Sequence, residues 1–266
     1  MRKYSVGLLG ATGIVGQRFI ELLADHPWFE ITAVAASAKS VNKEYRSAVQ
    51  WKMSSSIPEK VARMRLCACL PNLACDFVFS ALPNTVAKQI EASFVDAGYL
   101  VISNASAYRL DRLVPLLVPE VNSAHLKLLA KREHSKGAIV TNPNCSVTGI
   151  VIALKPLIDI WGIETVNVTT LQALSGAGYP GISSLDICDN VIPFIEGEEE
   201  KIETEPLKIF GDLQEDAIVS HPMRISAHCT RVPVTDGHLA CISVKLCSRA
   251  SAEQIVRAWE LFKAES

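Results

Sequence analysis

The 266-residue chain predicts an α/β fold, a doubly wound parallel-sheet domain followed by an α+β domain. Three observations carry this. Short apolar runs alternate with helical patterns from the N-terminus, glycines spaced three apart follow the first run directly, and from Thr165 the texture changes to longer strand-like runs.

Taken in order, Tyr4–Leu9 reads as a short buried strand and Gln17–Ala24 as a helix stopped before Pro27. Ile31–Ala35 is a second strand and Phe77–Ala81 a later one. Val86–Ala97 has helical periodicity and ends at Gly98, before another strand at Tyr99–Ser103. The runs VNVTTLQAL, RISAHCTRVPV and LACISVKLC, divided by an acidic segment, predict the second sheet. No repeat, low-complexity tract or Gly/Ser linker interrupts the chain. The boundary is therefore expected at a tight passage near Asn142, giving domains 1–143 and 144–266.

Composition narrows the function classes. With 49% hydrophobic residues and a net charge of −2, the chain has a core to bury and no basic excess for nucleic acid or an anionic membrane. The N-terminus has no signal-peptide pattern, and no stretch reaches the ~18 apolar residues of a membrane span, so the cytoplasm is expected. Eight cysteines without a CxxC pair suggest neither a disulfide scaffold nor a zinc site, and no metal is expected. Cys67, Cys69, Cys75, Cys188, Cys241 and Cys247 read as reduced, buried thiols in apolar runs.

GLLGATGIVGQRF places Gly7, Gly10, Gly13 and Gly16 between a strand and a helix. There the backbone can approach a pyrophosphate at a helix N-terminus, although a tight turn without a ligand gives the same spacing. Gly10, Thr12, Gly13 and Ile14 are the expected contacts, with Ser80 at the end of the later strand. The second strand, ITAVAASAKS, ends without the Asp or Glu that takes a ribose 2′-hydroxyl. Ser37, Lys39 and Ser40 can instead meet a 2′-phosphate, which favours NADP over NAD; Lys39 also reads as a solvated loop lysine.

The stretch TNPNCSVTG puts Cys145 at the first turn of a helix, where unpaired N–H groups are expected to lower its pKa. Asn144 beside it reads either as an oxyanion donor or as a helix cap. Of six histidines, His125 and His134 fall in a charged helical stretch and read as solvated, while His221 and His228 can pack within a sheet. His238 follows an Asp-Gly turn in RVPVTDGH, led by Arg231. The spacing allows Arg231 and His238 to share a cleft, and equally allows a surface arginine and a turn histidine.

GATGIVGQ, SNASAYR, NPNCSVTG, QALSGAGYPG, EGEEEKIETEPLKI and ISAHCTRVPVTDGH occur in the order of the aspartate-semialdehyde dehydrogenases, and the whole chain resembles their archaeal and fungal-like branch. That resemblance implies an NADP-dependent enzyme of lysine, methionine, threonine and isoleucine synthesis that converts L-4-aspartyl phosphate to L-aspartate 4-semialdehyde and phosphate. It implies Cys145 as nucleophile, His238 as acid/base, Gln172 as an orienting residue, and Arg231 for the substrate carboxylate. Arg109 and Lys201 match phosphate ligands, Glu198 matches the acid that meets the substrate ammonium, and Ser175 and Gly176 match the loop beside the nicotinamide. The first domain then binds the dinucleotide, and the second carries catalysis and dimerisation, in a homodimer or homotetramer.

Thiolate attack on the acyl phosphate expels phosphate and leaves a thioester ready for hydride. The family continues past SAEQIVRAWELFKAES, so the sequence reads as C-terminally shortened, with lower stability and weaker NADP binding expected. Malonyl-CoA and succinyl-CoA reductases share the Cys, His and NADP machinery, but Arg231 with Glu198 favours an amino-acid substrate. An N-acetyl-glutamyl-phosphate reductase matches less well around Cys145 and His238. An inactive NADP-binding remnant is the reading from another class.

Overall fold

The computed structural model describes residues 2–130, 137–214 and 217–264, and His134 lies outside them. The chain divides into two compact units, one of Met1–Pro115 with Leu128–Asn142, the other of Leu116–Lys127 with Pro143–Ser266.

The first unit contains β1 (Tyr4–Leu9), α1 (Ile14–Leu23), β2 (Phe29–Ala36), β3 (Cys67–Ala68), β4 (Phe77–Ser80), α2 (Asn84–Asp96), β5 (Leu100–Ser103) and β6 (Ala138–Thr141). Its six strands form a parallel sheet in the order β3-β2-β1-β4-β5-β6, the doubly wound order of dinucleotide-binding folds. Why YSVGLL is almost continuously apolar follows from its central place. Leu8 enters one core with Ile20, Ile31 and Val34, while Leu9 enters a second with Val78, Phe94 and Val101.

The turn after β1 is built by close approach. Gly10 has φ +76°, and a Cβ there would lie 2.5 Å from the Ala81 carbonyl oxygen, so no other residue fits without moving backbone. Gln17, buried on α1, donates to the Thr12 and Gln50 carbonyls and accepts from Lys52 N–H. The fully buried Tyr45 hydroxyl donates to the Ala11 carbonyl at 2.9 Å, and burial raises its phenol pKa.

The second unit contains α3 (Cys145–Trp161), β7 (Ile163–Gln172), α4 (Glu198–Ile209), the short hairpin β8 (Asp212–Gln214) and β9 (Ala217–Val219), β10 (Arg224–Arg231), β11 (Leu239–Leu246) and α5 (Ala252–Leu261). Central β7 pairs parallel with β10 and antiparallel with β11. Val147, Ile150, Val151, Leu154 and Leu157 form one stripe of α3 and share a core with Val166, Val168, Ile202 and Ile209. Leu116, Val118 and Val121 join that core, which is why residues 116–127 belong to this unit although a single cut near Asn142 assigns them to the first.

Two expectations about exposure are corrected. His125 is buried rather than solvated; Asn122 Nδ2 meets its Nδ1, and its Nε2 faces the Gly211 carbonyl at 2.9 Å. All eight cysteines are free, but Cys188, Cys241 and Cys247 are exposed, because the apolar runs around them lie on an open sheet face, at strand ends or after a single helical turn. His221 is half-buried and His228 is exposed on β10. Among the described residues, no helix is long and apolar enough to cross a membrane.

Candidate active site

The topology of the second sheet brings chemistry to one end. β7 and β10 run parallel and finish together, and their core-facing residues turn polar as they end: Val166, Val168, Thr170, Gln172 on one, Ala227, Cys229, Arg231 on the other. Gln172 and Arg231 are register partners. β11 returns antiparallel from Leu239, opposite Leu171, which leaves His238 at the same end.

Cys145 is the first residue of α3, and its Sγ lies 3.2 Å from His238 Nε2 beside a cavity of about 270 Å³. The histidine's other nitrogen is committed. Ala173 N–H donates to Nδ1 at 3.0 Å, so a neutral ring carries its proton on Nε2, toward the sulfur. Burial holds the His238 pKa below the usual range, Arg231 lowers it further, and Glu198 opposes both. The neutral form is therefore favoured.

The thiol corrects an expectation. Although Cys145 stands at a helix N-terminus, is exposed, and has nearby backbone amides that favour its thiolate, crowding of protein atoms around its sulfur and then the Glu198 charge push its pKa up. Glu198 itself is ionised despite its burial, which alone would raise its pKa. Hydrogen bonds from Lys201 (2.7 Å), Asn144 Nδ2 (2.8 Å) and Gln172 Nε2 (3.3 Å) bring it below the usual carboxylate value. Asn144 is likewise occupied: Oδ1 accepts from Ser146 and Val147 N–H, and the amide nitrogen serves Glu198. It is a cap and a strut, with one of its two Nδ2 hydrogens committed to Glu198.

Arg231 is 4% exposed, and its Nη1 donates to the Ala173 carbonyl at 2.7 Å. Its Nε has no hydrogen-bond partner, and among the described residues no carboxylate pairs with it. A buried guanidinium without a counter-charge suits an anionic ligand. Gly176, in the single turn Leu174–Ala177, makes room for it, since a Cβ there would lie 2.7 Å from Arg231 Nη1 and 3.1 Å from the His238 ring. Ser175 shares that turn.

Arg109 belongs to the first unit, where it is buried and donates to the Asn104 carbonyl at 2.9 Å. That unit also holds a cleft of about 860 Å³ at the C-terminal ends of its strands. Gly10, Thr12, Gly13 and Ser37 line it; Ile14, Lys39, Ser40 and Ser80 do not, and Ser80 is fully buried. Ala36, Ala68, Leu70, Ala81, Pro83 and Ile90 complete an apolar wall that sequence inspection missed, because only the strand order shows which strand ends converge. A dinucleotide fits these residues. The N-cap of α1 is Gly13, with no side chain over the first turn's N–H groups, and no acid stands beside Ser37 to repel a 2′-phosphate. Among the described residues, no cluster of His, Cys, Asp or Glu could hold a metal ion.

The family models for the semialdehyde dehydrogenase NAD binding domain and dimerisation domain match residues 5–129 and 154–266. The aspartate-semialdehyde dehydrogenase of Archaeoglobus fulgidus is 48% identical over 98% of this chain and 77% of its own length. That of Schizosaccharomyces pombe is 49% identical, over 95% and 73%. The structure of the Candida albicans enzyme with NADP superposes with a TM-score of 0.92 at 41% identity, covering 99% of this chain and 78% of that one. A Vibrio cholerae aspartate semialdehyde dehydrogenase II complexed with ASA gives 0.78 at 28% identity, covering 98% and 80%. Similarity of this depth along nearly all of the chain places it in the aspartate-semialdehyde dehydrogenase family.

Proposed function

We propose that the chain interconverts L-4-aspartyl phosphate and L-aspartate 4-semialdehyde with NADP, in amino-acid biosynthesis. The observation that carries this is the Cys145–His238 pair beside a buried Arg231 that has no carboxylate partner among the described residues. Arg231 takes the substrate carboxylate in a bidentate fork. Glu198 takes the ammonium and Lys201 the phosphate; Arg109, in the first unit, is the other cation that the family resemblance assigns to phosphate. Before substrate arrives, Glu198 and Lys201 neutralise each other at 2.7 Å.

Cys145, as the thiolate, attacks the acyl carbon; the carbon–sulfur bond forms and phosphate leaves with its bonding pair. Gly10, Thr12, Gly13 and Ser37 would hold NADPH, which would supply the hydride that makes the thioester into an aldehyde. His238 holds its Nε2–H toward the oxygen that becomes negative and stabilises it by hydrogen bonding, a role its tautomer suits. As the aldehyde leaves, the negative charge returns to sulfur and the thiolate is restored. Gln172 orients the carbonyl or a water. Ser175 and Gly176, in the turn beside Arg231 and His238, would serve the nicotinamide end of the cofactor.

The dimerisation-domain match and the exposed face of β7, with Asn167, Thr169 and Leu171, support a homodimer, which light scattering distinguishes from a tetramer. Eight free cysteines fit a reducing cytoplasm. The deciding assay is phosphate-dependent NADP reduction with aspartate semialdehyde. Activity confined to malonyl-CoA or succinyl-CoA would replace this reading with that of a thioester reductase.

A further inference from the structure

α3 begins with half of a capping box. Asn144 at the N-cap accepts from the N–H groups ahead of it, but the reciprocal bond needs a Glu or Gln at the third helical position, and that residue is Val147. The Asn144 N–H is nonetheless paired. Glu205 Oε2, from 61 residues along the chain, accepts it at 2.6 Å. Glu205 is 2% exposed and lies two turns after Glu198 on α4, on the face that also presents Glu198 to Asn144 Nδ2. One helix thus grips Asn144 by its backbone and by its side chain, and the next residue is Cys145.

We propose that Glu205 is a positioning residue for the nucleophile, completing the cap of α3 from a distant helix and thereby holding Cys145 Sγ against His238 Nε2. It acts through Asn144. A carboxylate bonded to a backbone N–H at a helix N-terminus is a charge-assisted contact that the helix dipole strengthens. Without it the N–H is buried and unpaired, and the Asn-Pro-Asn-Cys turn loses one of its two anchors on α4. A small displacement of Sγ then costs turnover more than binding, because Arg231 and Lys201 do not depend on this contact. The inference rests on Cys145 being the nucleophile, and its test is chosen to be separable from that reading.

Glu205→Ala and Glu205→Gln are compared in the full chain by steady-state kinetics and by the pH–rate profile of Cys145 alkylation with iodoacetamide, with exposed Cys188 as internal reference. Glu205→Ala is expected to lower kcat about tenfold or more, with KM for aspartate semialdehyde changed less than about threefold. Its Cys145 alkylation midpoint should move down, as the thiol leaves the environment that raises its pKa. Glu205→Gln keeps an acceptor oxygen and should restore most of both properties. An unmoved midpoint with wild-type kcat in Glu205→Ala overturns the proposal, as does a Gln variant as impaired as the Ala variant. Alkylation needs no substrate, so inactivity of the wild-type chain toward aspartate semialdehyde would defeat the proposed reaction while leaving this test intact.

Discussion

At the scale of single residues, the Cys145 thiol is favoured in its neutral form first by desolvation and then by the same carboxylate that is assigned to the substrate ammonium. Glu198→Gln removes the negative charge beside Cys145 and should lower its alkylation midpoint, so that labelling below that midpoint becomes faster while substrate binding weakens. Iodoacetamide rates across pH measure the first effect and KM the second; an unchanged or higher midpoint would mean that burial alone sets the thiol. Arg231 and His238 should separate in kinetics. Arg231→Lys keeps a charge but loses the fork and is expected to raise KM for the semialdehyde about tenfold or more, whereas His238→Ala should lower kcat by about two orders of magnitude. One pattern for both variants would show that binding and stabilisation of the developing negative charge are not divided between them. These roles were only partly legible in the sequence. RVPVTDGH allowed a shared cleft, but nothing in it showed that Arg231 lacks a carboxylate partner or that Ala173 fixes the His238 tautomer. The direction of the Cys145 shift was misread because a helix terminus is visible in a sequence, whereas a carboxylate from another element is not.

Elements were more legible than side-chain partners. β1, β2, β4 and β5 follow directly from apolar runs bounded by turn residues, and α1 and α2 differ from their expected bounds by two or three residues at their starts. The acidic run EGEEEKIETE hid its purpose. Its charges suggest a solvated face, yet Glu199 and Glu203 on α4 accept from the N–H groups of Cys229 and Ala227. Together with Glu198 and Glu205 at Asn144, they turn an acidic helix into a cover for the edge strand β10 and a mount for the start of α3. The turn after β1 offers a test at this scale. Gly10→Ala forces a Cβ against Ala81 at φ +76° and should destabilise the first unit by about 1–3 kcal/mol while weakening NADP binding. Thermal unfolding with and without NADP reads both. Cofactor choice is the companion prediction: with Ser37 and no acid at the cleft, NADPH should bind more than about tenfold tighter than NADH by fluorescence titration.

For the whole molecule, the division into two units has a consequence for biosynthesis. The chain enters the second unit at Leu116, goes back to the first at Leu128 and leaves it finally after Asn142. No single scission therefore yields two clean halves. A polypeptide ending at Pro115 lacks β6, the partner of β5, and presents an open strand edge. One ending at Asn142 gains β6 but carries Leu116, Val118 and Val121 with no α3 to receive them. A ribosome reading from the N-terminus thus cannot release a finished first unit. The later half meets a similar delay, because β7 must wait for β10 across the whole of α4 before its parallel neighbour exists. Cys145 acquires its His238 partner only after a further 93 residues have been translated.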